Sequence, residues 1–275
     1  MSSQSGVPPG GAAVLIDAVE KTYASRRGNV TALCPIDLAI EPGEFVSVLG
    51  PSGCGKSTLL RCLAGLEHIS AGSIQLGDQP IDGPPEGLGV VFQRDVLFDW
   101  RNVLDNVLLP VEVRRLPRAD WEARARSLLD LLGLAAFADR HPWELSGGMR
   151  QRVSICRALL LEPTLLLMDE PFGALDAMTR DELNLELQRI WLANAKTIFF
   201  VTHSIPEAVF LGDRVVVMSP APGRIAEIIP IALPRPRDLD VRETAEFGAI
   251  VRHIRQVFKD MGVMASARER ITVGA

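Results

Sequence analysis

Gly50-Pro51-Ser52-Gly53-Cys54-Gly55-Lys56-Ser57 fits the pattern G-x-x-x-x-G-K-[ST]. Before it, Pro42-Gly43 turns the chain into the apolar run Glu44 to Leu49; after it, Lys56 to Leu66 carries Leu59, Leu60 and Leu63 at helical spacing. Strand, glycine-rich loop and helix is the context this pattern requires. The glycines let the backbone curl so that successive N–H groups face phosphate oxygens, and the helix start adds positive potential. Lys56 is placed to reach the β- and γ-phosphates and the Ser57 hydroxyl to ligate Mg²⁺. Cys54 reads as a small filler of the loop.

A second apolar strand, Leu165-Leu166-Leu167-Met168, ends in Asp169-Glu170. Two acids at a strand exit are either helix-capping groups or, in a phosphate-loop protein, a second contact to Mg²⁺ through water (Asp169) beside a group that orients or deprotonates the attacking water (Glu170). Leu145-Ser146-Gly147-Gly148-Met149-Arg150-Gln151 is another glycine-rich helix start, with a hydroxyl and no following lysine. Ser146 is an ordinary N-cap, or the bare helix end approaches a phosphate. Since the first loop serves its own nucleotide, the second would act on one held by another copy of the chain, which points to a dimer with shared sites.

Outward from these motifs, Val14 to Val19 and Val30 to Ile40 read as strands around a polar loop, Ala24 to Asn29. Gly72 to Phe92 reads as a small antiparallel section, and about Asp95 to Arg140 as helical, with Trp121, Ala125, Leu128, Leu129 and Leu132 on one face. Asp176 to Asn194 (helix), Thr197 to Val201 (strand), Ile205 to Leu211 (helix) and Arg214 to Met218 (strand) follow, and then a hairpin through Pro220-Ala221-Pro222-Gly223 to Ile225–Ile229. Pro234-Arg235-Pro236 reads as a boundary before a C-terminal helix through Phe247, Ile250, Val251, Ile254 and Phe258. The alternation predicts an α/β fold with a mainly parallel sheet covered on both faces.

Composition narrows the function class. The 275 residues carry 29 Lys plus Arg against 34 Asp plus Glu, a net charge of −5, which gives nucleic acid no general attraction. Cys34, Cys54, Cys62 and Cys156 share no zinc-ligand spacing. The apolar runs are far shorter than the roughly 20 residues of a membrane-spanning helix. The Ser-, Gly- and Pro-rich start lacks the features of a secretory signal, so a cytosolic address and a disordered tail over 1–13 are expected.

With these marks together, the sequence resembles the ATP-binding subunit of ABC transporters from about Val14 to Arg237. Beyond the phosphate loop and Leu145–Gln151, Gln93 matches the Q-loop glutamine, Ala174-Leu175-Asp176 the D-loop and His203 the switch histidine. The resemblance implies a P-loop NTPase core with an N-terminal antiparallel β section, an ATPase domain over 14–237 with a helical signature subdomain over about 95–160, and a C-terminal extension over 238–275. It implies ATP held by Gly50 to Ser57 and Thr58, with Tyr23 stacked on the adenine, and Mg²⁺ held by Ser57, Gln93 and Asp169. It further implies hydrolysis by Glu170, His203 and Gln93, and a partner copy that closes with Ser146, Gly147, Gly148 and Asp176.

Phe98 and Trp100 fall where the family docks a cytoplasmic helix of its transmembrane subunit; Asp99 stands where many relatives have proline. The runs Glu170–Asp176, Ser219–Ile225 and Leu233–Arg237 are similar to those of importers of nitrate, sulfonate, taurine and related solutes. The implied partners are a second copy, transmembrane permease subunits and, indirectly, a solute-binding protein, at the cytoplasmic face of the cell membrane. A soluble ABC ATPase acting on nucleic acid or ribosomes is the alternative, against which stands the absence of a long coiled coil in the 90 residues from Lys56 to Ser146.

Overall fold

In the computed structural model, which describes residues 10–24 and 28–263, the chain forms two sheets. The smaller is antiparallel, ordered β2 (Val30–Ile40), β1 (Val14–Tyr23), β4 (Ala71–Leu76) and β5 (Gln79–Pro80). The larger has six strands. Its order is β10 (Ile225–Pro230), β9 (Arg214–Met218), β3 (Phe45–Leu49), β8 (Thr197–Val201), β7 (Leu165–Asp169) and β6 (Leu88–Val91), parallel except for β10.

The larger sheet is buried on both faces, and the period of two assigns its residues. Val46, Val48, Leu165, Leu167, Phe199, Val201, Val216 and Met218 face the small sheet and α1 (Lys56–Leu63). Phe45, Leu49, Leu166, Met168, Ile198, Phe200, Val215 and Val217 face the opposite layer. That layer contains α2 (Val103–Val107), α3 (Leu109–Val113), α4 (Arg118–Leu131), α5 (Gly147–Leu159), α6 (Ala177–Asn194), α7 (Ile205–Leu211) and α8 (Ala245–Asp260). Strands apolar on both sides cannot lie at a solvent face, which is why the small sheet with α1 covers one face and the helical layer the other.

Several expectations need correction. Gly72 to Phe92 is not one antiparallel section: β4 and β5 belong to the small sheet, while β6 pairs in parallel with β7. Short strands broken by Pro and Gly look alike in sequence, and their partners are set by long-range burial. Residues 95–102 are irregular rather than helical, since the first helix of that region starts at Val103.

Residues 1–9 of the expected tail lie outside the described residues. Gly11 and Ala12, however, donate backbone bonds to Ala195 and Thr164 (2.8 and 3.2 Å), so the packed chain begins before Val14. The loop residues Ala24 and Gly28–Asn29 flank positions 25–27, which are likewise outside the described residues.

The Pro234–Pro236 stretch is no loose boundary either. Arg237, 3% exposed, donates to the carbonyls of Val209, Phe210 and Gly212 (3.0, 2.9 and 2.9 Å) at the end of α7 and to that of Leu233 (3.1 Å). Its backbone N–H and C=O pair with the Gln188 amide. Burial lowers the Arg237 guanidinium to about 10, with the Arg235 charge adding to the effect. A cation so placed satisfies the last carbonyls of a helix that has no partner of its own for them. Through Phe247, Val251, Ile254 and Phe258, α8 then joins the core that contains Phe210 and Val215; its described part is not a separate appendage.

Candidate functional site

Parallel strands place their carboxyl ends on one edge of the sheet, and ligands of such sheets bind beyond that edge. The phosphate-loop pattern follows β3, His203 follows β8, Asp169-Glu170 ends β7, and Gln93 follows β6. These four strands are consecutive neighbours, so residues far apart in sequence are gathered in one row.

At the loop, Gly53 and Gly55 have φ of 77° and 99°, in the left-handed region. At Gly55 no side chain would fit in any case, because a Cβ would lie 2.6 Å from Leu33 Cδ2 and 2.9 Å from the Ala32 carbonyl. Lys56 is buried and folds back onto its own loop, its Nζ donating to the carbonyls of Gly50 (2.8 Å) and Pro51 (3.0 Å). Cys54 packs beneath it, and burial pushes its thiol up against the opposing charge of Lys56. Ser57 and Thr58 occupy the first turn of α1.

Ser57 Oγ donates to Asp169 Oδ1 at 3.0 Å, which joins the two strand ends. Burial raises the Asp169 carboxyl, the bond from Ser57 opposes the rise and the neighbouring Glu170 adds to it. Glu170 does not continue the strand as an alternation of sides would require. Its φ is 46°, a conformation that costs a residue with a side chain roughly 1–2 kcal/mol, and its N–H donates to Val201 O at 2.8 Å. The kink turns Glu170 Oε2 to 3.3 Å from both Gln93 Nε2 and His203 Nδ1. Gln93, Glu170 and His203 thus form one cluster and Lys56, Ser57 and Asp169 another, joined through adjacent residues of β7. The hydroxyl and carboxylate of Ser57 and Asp169 are hard oxygen donors of the kind Mg²⁺ takes.

Ser146 caps α5, accepting from the Met149 N–H at 3.3 Å, and Asp176 caps α6, accepting from the Thr179 N–H at 3.0 Å. Those bonds to Thr179, from its N–H and its hydroxyl, hold the Asp176 carboxyl below the usual range. Gly148 backs onto the start of α6: a Cβ there would lie 2.6 Å from Thr179 Cγ2. Gly147 and Gly148 therefore sit against Leu175 and Thr179 of their own chain. Tyr23, half-buried at the end of β1, has the Lys21 ammonium 4.7 Å from its ring centroid.

Three sets of residues escaped sequence reasoning. Arg150 Nε donates to Asp95 Oδ2 at 2.9 Å, and Arg157 donates to the carbonyls of Asp95 (2.9 Å) and Val96 (2.7 Å), tying α5 to the segment after Gln93. Buried Asn106 closes the following turn, with its amide on the carbonyls of Phe98, Arg101 and Asn102 and its oxygen accepting from the Phe98 N–H. That turn presents Trp100, 73% exposed, stacked on Phe98 at 4.7 Å. Around His203, Thr202 Oγ1 donates to the buried Glu207 and accepts from the Ser204 N–H at 3.1 Å. Glu207, one turn into α7, was invisible because a lone acid in a helix carries no pattern.

Beside the Phe98–Trp100 turn, a cavity of about 360 Å³ is lined by Leu88, Val90, Phe92, Val96, Leu109 and Val113, among others, with Arg114 and Arg157. No helix among the described residues is long and apolar enough to cross a membrane.

Comparison with known proteins fits this geometry. The family model described as ABC transporter matches residues 33–173. A taurine import ATP-binding protein of Rhizobium johnstonii is 48% identical over 235 residues, covering 85% of this chain and 87% of that protein. An uncharacterized ABC transporter ATP-binding protein of Methanocaldococcus jannaschii is 45% identical over 245 residues, 89% of this chain and 91% of the other. Among solved structures, a dimeric ABC transporter cassette aligns with a TM-score of 0.72 at 31% identity over 80% of this chain and all of the other. A dimeric post-hydrolysis state of an ATP-binding cassette, bound to ADP and Pi, aligns with a TM-score of 0.69 at 30% identity and the same coverage.

Proposed function

The chain belongs to the ABC transporter ATP-binding family and is an ATPase; from that premise we propose that it powers import of a small solute of the taurine, sulfonate or nitrate kind. Its working form would be a homodimer bound to transmembrane permease subunits at the cytoplasmic side of the membrane. One observation carries the reading: Lys56, Ser57, Asp169, Glu170, Gln93 and His203 meet at one sheet edge, with Glu170 3.3 Å from both Gln93 and His203.

In this mechanism the loop N–H groups of Gly50 to Thr58 receive the phosphates, and Lys56 leaves its two backbone carbonyls to contact the β- and γ-phosphate oxygens. Tyr23 stacks on the adenine. Mg²⁺, held by Ser57, Asp169 and Gln93, would neutralise charge on the phosphate oxygens as bond breaking proceeds. Glu170 accepts a proton from the attacking water at Oε2. Gln93 and His203, already beside that oxygen, keep the carboxylate and water in line, and His203 contacts the γ-phosphate. Ser146, Gly147 and Gly148 of the second copy close over the nucleotide, and Asp176 links the two sites.

At the β6 edge of the sheet, the cavity beside the Phe98–Trp100 turn offers apolar walls and the half-buried Arg157 for a short cytoplasmic helix of the permease. The turn itself is closed by the bonds of Asn106 to Phe98, Arg101 and Asn102. The taurine import relative supports the solute class.

The test is to co-express the chain with candidate permease subunits and measure ATP hydrolysis in membranes with and without a solute-binding protein loaded with taurine. Copurification with the permease and stimulation of hydrolysis by the loaded protein are expected. Phosphorylation of an added small acceptor instead of release of phosphate would overturn the reading.

A further inference from the structure

We propose that the turn between β9 and β10 braces the phosphate loop, and that Gly223 within it is a positioning residue for nucleotide binding, an inference that rests on the nucleotide reading of Gly50–Ser57. The Ser219–Ile225 run stood out in the sequence only as a mark of resemblance. In the fold it closes on itself, with Ser219 N–H donating to Arg224 O at 2.9 Å and Arg224 N–H to Ser219 Oγ at 3.2 Å. Gly223 is then pinned to β2 by a parallel bridge: its N–H donates to Ala32 O (2.9 Å) and its carbonyl accepts from Cys34 N–H (3.0 Å).

The same part of β2, Ala32 and Leu33, walls the loop at Gly55. On the other side, a Cβ at Gly223 would lie 2.0 Å from the carbonyl oxygen of Cys54 and 3.2 Å from its carbon. Met218, the last residue of β9, fills the gap between. Its Cβ is 3.1 Å from where a Cβ on Gly50 would stand, and its Cε is 3.0 Å from that of Gly223. The loop backbone is therefore in contact with this frame at Gly50, Cys54 and Gly55.

β9 is hydrogen-bonded to β3, Val217 opposite Leu49, so the strand that leads into the loop and the strand that leads into the turn leave the sheet side by side. A phosphate cradle made of backbone N–H groups has few side chains to hold it in shape. Neighbours that fix the curl before the ligand arrives remove ordering cost from binding. Gly223 lies outside the left-handed region, so alanine there adds bulk against Cys54 without backbone strain.

The test compares Gly223→Ala with Gly212→Ala. The latter sits at the opposite end of β9, where a Cβ would lie 2.8 Å from Ala208 O, 2.9 Å from Arg214 O and 3.0 Å from Ser47 Oγ, with no contact to the loop residues themselves. Binding of Mg-ADP is measured by calorimetry, and thermal stability alongside it. Both variants should lose thermal stability. Gly223→Ala should raise the Kd for Mg-ADP at least tenfold, whereas Gly212→Ala should keep it within twofold of the native chain.

Unchanged affinity in Gly223→Ala, or an equal loss in both variants, overturns the brace while leaving the nucleotide reading intact. Absence of Mg-ADP binding by the native chain would overturn the nucleotide reading and the brace with it. Should Gly223→Ala not fold, the near-isosteric Met218→Leu decides: a two- to fivefold rise in Kd is expected, and an unchanged Kd overturns the proposal.

Discussion

Glu170→Gln separates the chemistry of the site from its architecture. Glutamine has the same length as glutamate, and at a φ of 46° both residues bear the same backbone cost. Its amide can keep contacts at the 3.3 Å positions of Gln93 Nε2 and His203 Nδ1. These are long bonds on a partly exposed side chain, worth little to stability whichever group makes them. The substitution should therefore shift the thermal midpoint by no more than about 2 °C, the equivalent of under 1 kcal/mol in a chain of this size.

Hydrolysis responds differently. A positioned general base contributes about 10²–10⁴-fold, or roughly 2.7–5.5 kcal/mol of barrier, and an amide cannot take the proton. Phosphate release under saturating Mg-ATP should fall by that factor while ATP binding persists, so ATP-bound dimers should accumulate and elute early in size exclusion with Mg-ATP. Turnover within tenfold of the native rate would refute the assignment of the base. A large loss of stability would refute the claim that the Glu170 bonds to Gln93 and His203 are worth little to the fold.

Lys56→Ala should weaken ATP and ADP binding by more than tenfold in equilibrium titration, because the loop loses its phosphate cation and the brace to Gly50 and Pro51. Arg237→Met should orphan the buried carbonyls at the end of α7 at about 1–3 kcal/mol each. A total of about 3 kcal/mol or more for the three carbonyls would lower the calorimetric midpoint by on the order of 10 °C, and a drop under 3 °C would show that the carbonyls find other partners. Burial raises the Glu207 carboxyl above its ordinary 4.5, against the bond from Thr202 and the charges of Arg180, His203 and Arg242. Stability from this group is fully present below pH 4.5 and lost as pH rises through its folded value. Glu207→Gln, which has no proton to lose, should gain in thermal midpoint relative to the native chain between pH 4.5 and pH 8; a difference independent of pH would reject the buried charge as its cause.

Local pattern made much of this legible. Strand, glycine loop and helix at Gly50–Ser57, and the fully apolar run before Asp169, are each encoded within a dozen residues, so their existence and type could be read directly. Partner choice could not. β6 looks like the strands before it because Leu88–Val91 gains its meaning only against β7. Glu170 breaks the alternation that its neighbours obey, and a kink at one residue leaves no trace in composition. Asp95 and Arg150 are 55 positions apart, and Arg237 lies in a proline-rich stretch that resembles a linker until its guanidinium is found under α7. For β6 the deciding factor is long-range burial, and for Asp95 and Arg237 it is a long-range polar bond; periodicity reports neither.

The bonds from Arg150 and Arg157 to Asp95 and Val96 have a mechanical corollary. With the permease docked at Trp100 and Ser146 closing over ATP as proposed, these bonds and the Asn106-closed turn would couple the two as a single lever. A permease that pushes on one end would displace the other, and thermodynamic reciprocity then fixes the reverse effect: whatever free energy docking contributes to closure over ATP, closure returns as tighter grip on the permease. Transmission in both directions would be a property of one stiff linkage.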